Sequence, residues 1–218
     1  MSVAIGLPLP ILPAQLLWIN LVTDGTSTFP LAFEKEHGDV MAFPPRKKHK
    51  PLVNKKMIAR IGFAGIIMML GTLGLFVFYL DDTFNPSPES LSKARTIAFS
   101  ALAFFQIWNV QNSRSIDRSL FFNLPFSQNN KLDRVSPLHN PILLGVMLLA
   151  IFLQLGAVTI PFMNVLMNTV PLNMYDWIYL LGGTFTIIIF VEIEKFLRAF
   201  INKYKRIKAG IEMDEEEV

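Results

Sequence analysis

The chain has 218 residues, of which 52% are hydrophobic and 17% charged, with a net charge of +3. A soluble domain carries about 25% charged residues, so the composition points to a chain that spends much of its length in lipid. It has no cysteine, which excludes a disulfide framework, a thiolate zinc site, an iron–sulfur site and a cysteine nucleophile. Phenylalanine dominates the aromatics, 19 against three Trp and four Tyr, which suits a lipid-facing surface better than a platform for stacking bases. Lys203-Tyr204-Lys205-Arg206 is too short and too close to the membrane to bind nucleic acid.

The chain opens MSVAIGLPLPILPAQLLWINLV. It has no basic n-region and three prolines interrupt the apolar run, so it does not read as a cleavable signal peptide. It reads as the interior of something longer. A spanning helix needs about 20 mostly apolar residues. Five stretches qualify: Leu9 to Phe33, Met57 to Leu80, Ala94 to Gln111, Pro141 to Ile160, and Tyr175 to Ile193. Between them lie breaker-rich connections such as FPPRKKHKP, DDTFNPSPES, NLPFSQNNKLDRVSP and NTVPLN, none long enough for a separate domain. The terminal EMDEEEV has the composition of a short disordered acidic tail.

The basic residues give an independent reading. Eight Lys and Arg lie between Lys35 and Arg60, two (Lys93 and Arg95) at the start of the third stretch, four between Arg114 and Arg134, none between the fourth and fifth stretches, and six between Lys195 and Lys208. Cytoplasmic loops carry the excess of Lys and Arg. The expected fold is therefore an all-α membrane protein, a bundle of five transmembrane helices over residues 1–200. Its N-terminus lies outside, and a cytoplasmic tail spans 201–218.

The first stretch carries the chemistry. Asp24 is an ionisable group deep in an apolar span, where such residues are expensive and functional by default. At about 100° per residue, Asn20 shares its face and Thr23 lies close to it. Amide carbonyl, hydroxyl and carboxylate are all oxygen ligands, which hard cations such as calcium require. Gly25 and Pro30 permit local unwinding that frees backbone carbonyls for an ion. The other reading is a polar knot that ties helices together. Calcium takes about 6–8 oxygens, more than this stretch supplies. Within the chain the further candidates are Gln106, Asn109 and Gln154.

PAQLLWINLVTDG, the later Phe43-Pro44-Pro45-Arg46 and the five-helix pattern resemble the calcium-transporting P-type ATPases, from about Leu7 to Phe200. The match is to their sixth to tenth transmembrane helices. Phe105 to Arg114 looks like the family's eighth helix, and Val191-Glu192-Ile193-Glu194-Lys195-Phe196 like the end of its last. The resemblance implies that Asn20, Thr23 and Asp24 are ion ligands, with Asp24 shared in two-site members. Gln106 falls where reticulum-type, two-site pumps carry Glu. In this it resembles the plasma-membrane type, which moves one calcium per cycle, and it is a doubtful ligand. A secretory-pathway type that also moves manganese fits as well.

Calcium is thus implied as the transported substrate. ATP and magnesium enter only through domains marked by DKTGT, TGE and GDGxND, none of which occurs in this sequence. The implied partners are the N-terminal portion of the pump, covalent or in trans, and membrane lipid, with no nucleic acid. The chain alone is not expected to be an enzyme. A non-enzymatic scaffold or regulatory protein derived from such a pump is the alternative. A small secondary transporter or channel would predict more intramembrane charges than the single Asp24.

Other features read as structural. Glu192 and Glu194 are expected at the cytoplasmic rim beside Lys195 and Arg198, and Asp81, Asp82 and Asp176 at solvated outer ends. His37, His49 and His139 have no metal-ligand spacing. The Arg46-Lys47-Lys48-His49-Lys50 run reads as positive-inside topology, with anionic lipid or a neighbouring domain as other partners. Gly62, Gly65, Gly71 and Gly74 are expected to allow close helix packing.

Overall fold

The computed structural model describes residues 5–25, 28–34, 53, 55–115, 119–120 and 140–216, with the side chains of 24, 56, 202–203 and 205–216 excepted. Among these residues every regular element is helical. The order is α1 (Pro13–Trp18), a π-helical turn (Ile19–Gly25), a 3-10 helix (Phe29–Phe33), α2 (Lys55–Phe78), α3 (Pro88–Ser113), α4 (Pro141–Thr159), α5 (Pro161–Met167) and α6 (Met174–Glu216). The Pro-Pro-Arg motif, the Arg46–Lys50 run and the three histidines lie outside the described residues.

Local sequence explains the helix starts. Ser87 accepts a hydrogen bond from the Ser90 amide at 3.3 Å, and Asn140 from the Leu143 amide at 3.0 Å, each followed by proline at the first helical position. These are the side chains and the residue that satisfy a helix N-terminus best. α5 stops at Asn168, which adopts a left-handed φ of 51°, a conformation asparagine tolerates at a helix end.

Contacts at the helix ends fix their directions. Arg60, near the start of α2, donates to the carbonyls of Asn112 (2.8 Å) and Ser115 (3.1 Å) at the end of α3. Asn140, at the start of α4, meets Glu34 at that same end (2.9 Å). At the opposite end Lys93 of α3 pairs with Asp176 of α6 at 3.0 Å and sits over the Tyr79 ring. The four long helices α2, α3, α4 and α6 therefore alternate in direction, and α6 runs parallel to α3. The N-terminal segment also follows α3, from Leu9, whose carbonyl accepts from Arg95 at 2.9 Å, to Glu34, which pairs with Arg114.

α3 is the centre of the bundle. Phe99, Phe104, Phe105, Ile97 and Ile107 are fully buried, and Phe104 and Ile107 pack with Leu143 and Met147 of α4 and Leu180 of α6. In lipid there is little hydrophobic drive between helices, so association rests on close packing and hydrogen bonds. Ala94, Ala98, Ala101 and Ala103 of α3 are all buried, which lets the neighbouring backbones approach. α2 and α4 are apolar on their outward faces too. Their segments Met57–Phe78 and Pro141–Thr159 are long and apolar enough to cross a membrane.

Of the four glycines expected to permit packing in α2, one does. A Cβ on Gly71 would lie 2.4 Å from Cζ of the fully buried Phe105, whereas one on Gly62, Gly65 or Gly74 would meet nothing within 4 Å. Gly71→Ala is expected to destabilise the bundle by about 1–3 kcal/mol through overpacking. Gly62→Ala should stay within about 0.5 kcal/mol of the parent. Thermal unfolding in detergent reads both.

The expected stretches differ from the helices in three places. The first is not one helix but three short pieces, α1, the π-helical turn and the 3-10 helix, the last with Pro30 in its first turn. α3 begins six residues earlier than Ala94, at its Ser87–Pro88 cap. α6 does not end at a disordered tail but continues through Glu216, about 65 Å in all at 1.5 Å per residue. A helix already nucleated in the bundle extends at little cost through Lys, Arg, Ala, Met and Glu, all good formers.

Asp81 and Asp82 are exposed, as expected of loop ends, but Asp176 is buried in its pair with Lys93. The Asp81 carboxylate accepts from the Ser87 amide at 3.1 Å and the Asp82 amide at 2.9 Å. Hydrogen bonding by Ser87, then Ser90, holds its carboxyl well below the usual carboxylate range. A depressed carboxyl stabilises the fold above the unfolded value of about 3.9 and loses that contribution as pH falls toward its own value. The difference in melting temperature between the parent and Asp81→Asn is therefore expected to shrink on acidification below about pH 4.

Candidate functional site

The segment from Leu12 to Glu34 is held against α3, α4 and the α5 turn by polar contacts at successive heights. Nearest the Asp176 end, Gln15 is fully buried. Its Oε1 accepts from the Leu12 amide and its Nε2 donates to the Met167 carbonyl, each at 3.0 Å. Further along, Trp18 donates Nε1–H to Gln154 Oε1 at 3.2 Å, and Gln154 donates on to Ser100 at 3.3 Å. Gln154 is thus not an idle oxygen available to an ion but the bridge between three elements.

Beyond Trp18 the helix widens into the π-helical turn Ile19–Gly25. Such turns occur mostly as single insertions and cluster at functional sites. The widening replaces the unwinding expected from Gly25. Thr23, with 0% exposure, lies 2.6 Å from the Ile19 carbonyl and 2.7 Å from Gln106 Oε1 of α3. A hydroxyl has one proton. Both contacts are satisfied when Thr23 donates to Ile19 and the Gln106 amide, which has no inherent orientation, turns to donate Nε2–H to Thr23.

Asn20 lies on the same turn but is exposed, so its side chain does not share the buried face of Thr23. The α-helical spacing that puts them near one face does not hold in a π-helix, where each residue turns the chain less. The Asp24 backbone belongs to this turn, and its side chain lies outside the described residues. Asn109 of α3 is one turn from Gln106 and faces Asn112, whose Nδ2 it accepts at 3.5 Å. Among the described residues no group of three or more acidic, histidine or cysteine side chains converges. Neutral oxygens therefore make up the described part of the site: Thr23 and Gln106 touching, Asn20 apart.

The far end of the segment is clamped by charge. Arg114, whose side chain is 0% exposed, donates Nε–H to both Glu34 oxygens (3.1 and 3.0 Å), Nη2–H to Glu34 Oε1 (2.6 Å) and Nη1–H to Gln111 (3.1 Å). Asn140 adds donors to Glu34 Oε2 (2.9 Å) and the Pro30 carbonyl (3.3 Å). A planar guanidinium on a carboxylate is the strongest geometry for such a pair. A second buried cluster lies on α6. Glu192 accepts from the Ser119 hydroxyl, the Leu120 amide at 3.2 Å and Lys195 at 2.9 Å, while Glu194 pairs with Arg198. Both glutamates stand beside the expected cations, and Glu192 is buried rather than solvated.

The family model described as the C-terminus of cation transporting ATPases matches residues 8–197. The chain belongs to that family. It is the membrane-spanning C-terminal region of P-type cation ATPases. Among relatives, a calcium-transporting ATPase of Bacillus subtilis is 30% identical over 181 residues, covering 83% of this chain and 18% of that protein. The cation-transporting ATPase pma1 of Synechocystis is 34% identical over 176 residues, covering 81% and 18%. An endoplasmic reticulum-type calcium-transporting ATPase of Arabidopsis thaliana is 24% identical over 255 residues, covering 94% and 23%. The chain thus spans about a fifth of the length of the relatives it matches.

Sequence reasoning singled out Thr23 and Gln106 but not their mutual contact, and it missed Gln15, Ser100, Glu34, Arg114 and Asn140. The signal for the clamp was present. An arginine directly after an apolar helix and a glutamate directly after another are costly unless paired.

Proposed function

We propose that the chain is the ion-binding and scaffold part of an ATP-driven calcium pump. It would cross the membrane five times within residues 1–200, enter from outside, and leave residues 201–218 as a cytoplasmic tail. The alternating helix directions, with Arg60, Arg114 and Lys195 at one end and Asp81 and Asp176 at the other, support that topology. Calcium is favoured because relatives in Bacillus and Arabidopsis are named for it, with manganese or another cation as the runner-up.

The observation that carries the reading is the π-helical turn with Thr23 held by Gln106. It pins one wall of the turn on α3 and leaves Asn20 exposed toward whatever completes the site. In this proposal Asn20 and Asp24 ligate the ion, and Thr23 ligates through its hydroxyl or supports Asp24. Gln106 brings no charge, which fits one ion per cycle. The remaining oxygens, the phosphorylated aspartate, ATP and magnesium belong to the rest of the pump, joined covalently or in trans.

Calcium-45 binding to the purified chain in detergent, with and without that N-terminal portion, tests the proposal, with manganese as competitor. Tight binding only with the partner is expected. Tight binding by the chain alone would overturn the shared site, and no binding in either case would leave the non-enzymatic scaffold.

A further inference from the structure

A cavity of about 120 Å³ opens between α2, α3 and α6 at the Arg60 end of the bundle. Its polar wall is Arg60, Asn109, Asn112 and Ser113, and its apolar wall includes Ile61 and Val191. Asn112 is 1% exposed, yet its Oδ1 has no hydrogen-bond partner. A buried acceptor left unmade costs about 1–3 kcal/mol, so its persistence asks for a donor from outside the chain. Arg60 stands at the rim, oriented by the Asn112 and Ser115 carbonyls. The cavity lies where the apolar run Met57–Phe78 begins and α3 ends, the depth at which hydrocarbon gives way to head groups.

We propose that this cavity seats the head group of a phospholipid that carries a hydrogen-bond donor beyond its phosphate, an ethanolamine ammonium or a glycerol hydroxyl. The volume matches about four waters at ~30 Å³ each, so the donor end of the head group enters and the phosphate stays at the rim beside the Arg60 guanidinium. The donor meets Asn112 Oδ1, and an acyl chain descends along the exposed Ile61. Choline, which has no N–H or O–H, leaves Oδ1 unmet. The site needs the chain to be membrane-embedded but is independent of which cation is carried.

Native mass spectrometry of the full chain released from detergent, with dioleoyl phosphatidylethanolamine, phosphatidylglycerol or phosphatidylcholine added, tests this. One net hydrogen bond predicts retention of the first two at about 2- to 10-fold over phosphatidylcholine. Asn112→Leu should erase that preference, and Arg60→Gln should lower retention of all three. Asn112→Asp should favour ethanolamine over glycerol, which a folding defect would not do. Equal retention of the three lipids by the parent, or a preference that survives Asn112→Leu, would leave the cavity to water and overturn the proposal. Displacement of bound lipid by millimolar soluble phosphoethanolamine would overturn the lipid assignment in favour of a water-soluble phosphoamine. Resistance to it is the expected result. Calcium-45 binding, measured separately, should be unchanged in Asn112→Leu.

Discussion

Replacing Arg114 by alanine is expected to cost about 3–5 kcal/mol of stability, the usual result of breaking a buried pair from one side. The arginine side chain is wholly buried and Glu34 is 11% exposed, so its removal takes a guanidinium away from a carboxylate that solvent hardly reaches. Glu34→Gln should cost less, because Gln still accepts from Arg114 and Asn140. Arg114→Met with Glu34→Leu together should cost less than the sum of the single changes, since the pair then leaves as a unit. Unfolding of the detergent-solubilised chain by sodium dodecyl sulfate reads these variants and the single changes Arg114→Met and Glu34→Leu. Additive costs would show that the two residues act separately.

The second large effect concerns affinity. Under the proposed role, Asp24→Ala in the assembled pump weakens calcium binding by at least about 100-fold. Supporting residues around a metal already cost about 10–100-fold when removed, and an anionic ligand should cost no less. Thr23→Val should fall in that 10–100-fold range and Thr23→Ser close to the parent, because the serine hydroxyl can still meet Ile19 and Gln106. The calcium concentration for half-maximal ATP hydrolysis is the readout. An unchanged value in Asp24→Ala would end the ion-site assignment.

Much of the architecture was legible in the sequence because apolar runs, breakers and basic loops are local signals. The start of α4 at Pro141 and the extent of α2 follow from their apolar runs, whereas the start of α3 at its Ser87–Pro88 cap was not anticipated. What was not legible depends on contacts between distant residues. The π-helical turn is invisible to a reading at 3.6 residues per turn, so Asn20 and Thr23 were placed close to one face, whereas one is exposed and the other buried. Gln154 looked like a lone polar residue in an apolar helix because its partners, Trp18 and Ser100, lie 136 and 54 residues away. The same holds for Gly71, which differs from Gly62 only in what α3 brings opposite it.

The polar contacts of the N-terminal segment have a mechanical consequence. Gln15, Trp18, Thr23 and Glu34 engage partners at four levels over 20 residues, on α3, α4 and the α5 turn. A slide of one helical turn, about 5.4 Å, would break all four at once, whereas a tilt with its neighbours breaks none. The segment therefore has no low-energy ratchet along its own axis, and its motion is expected as a tilt shared with α3 and α4.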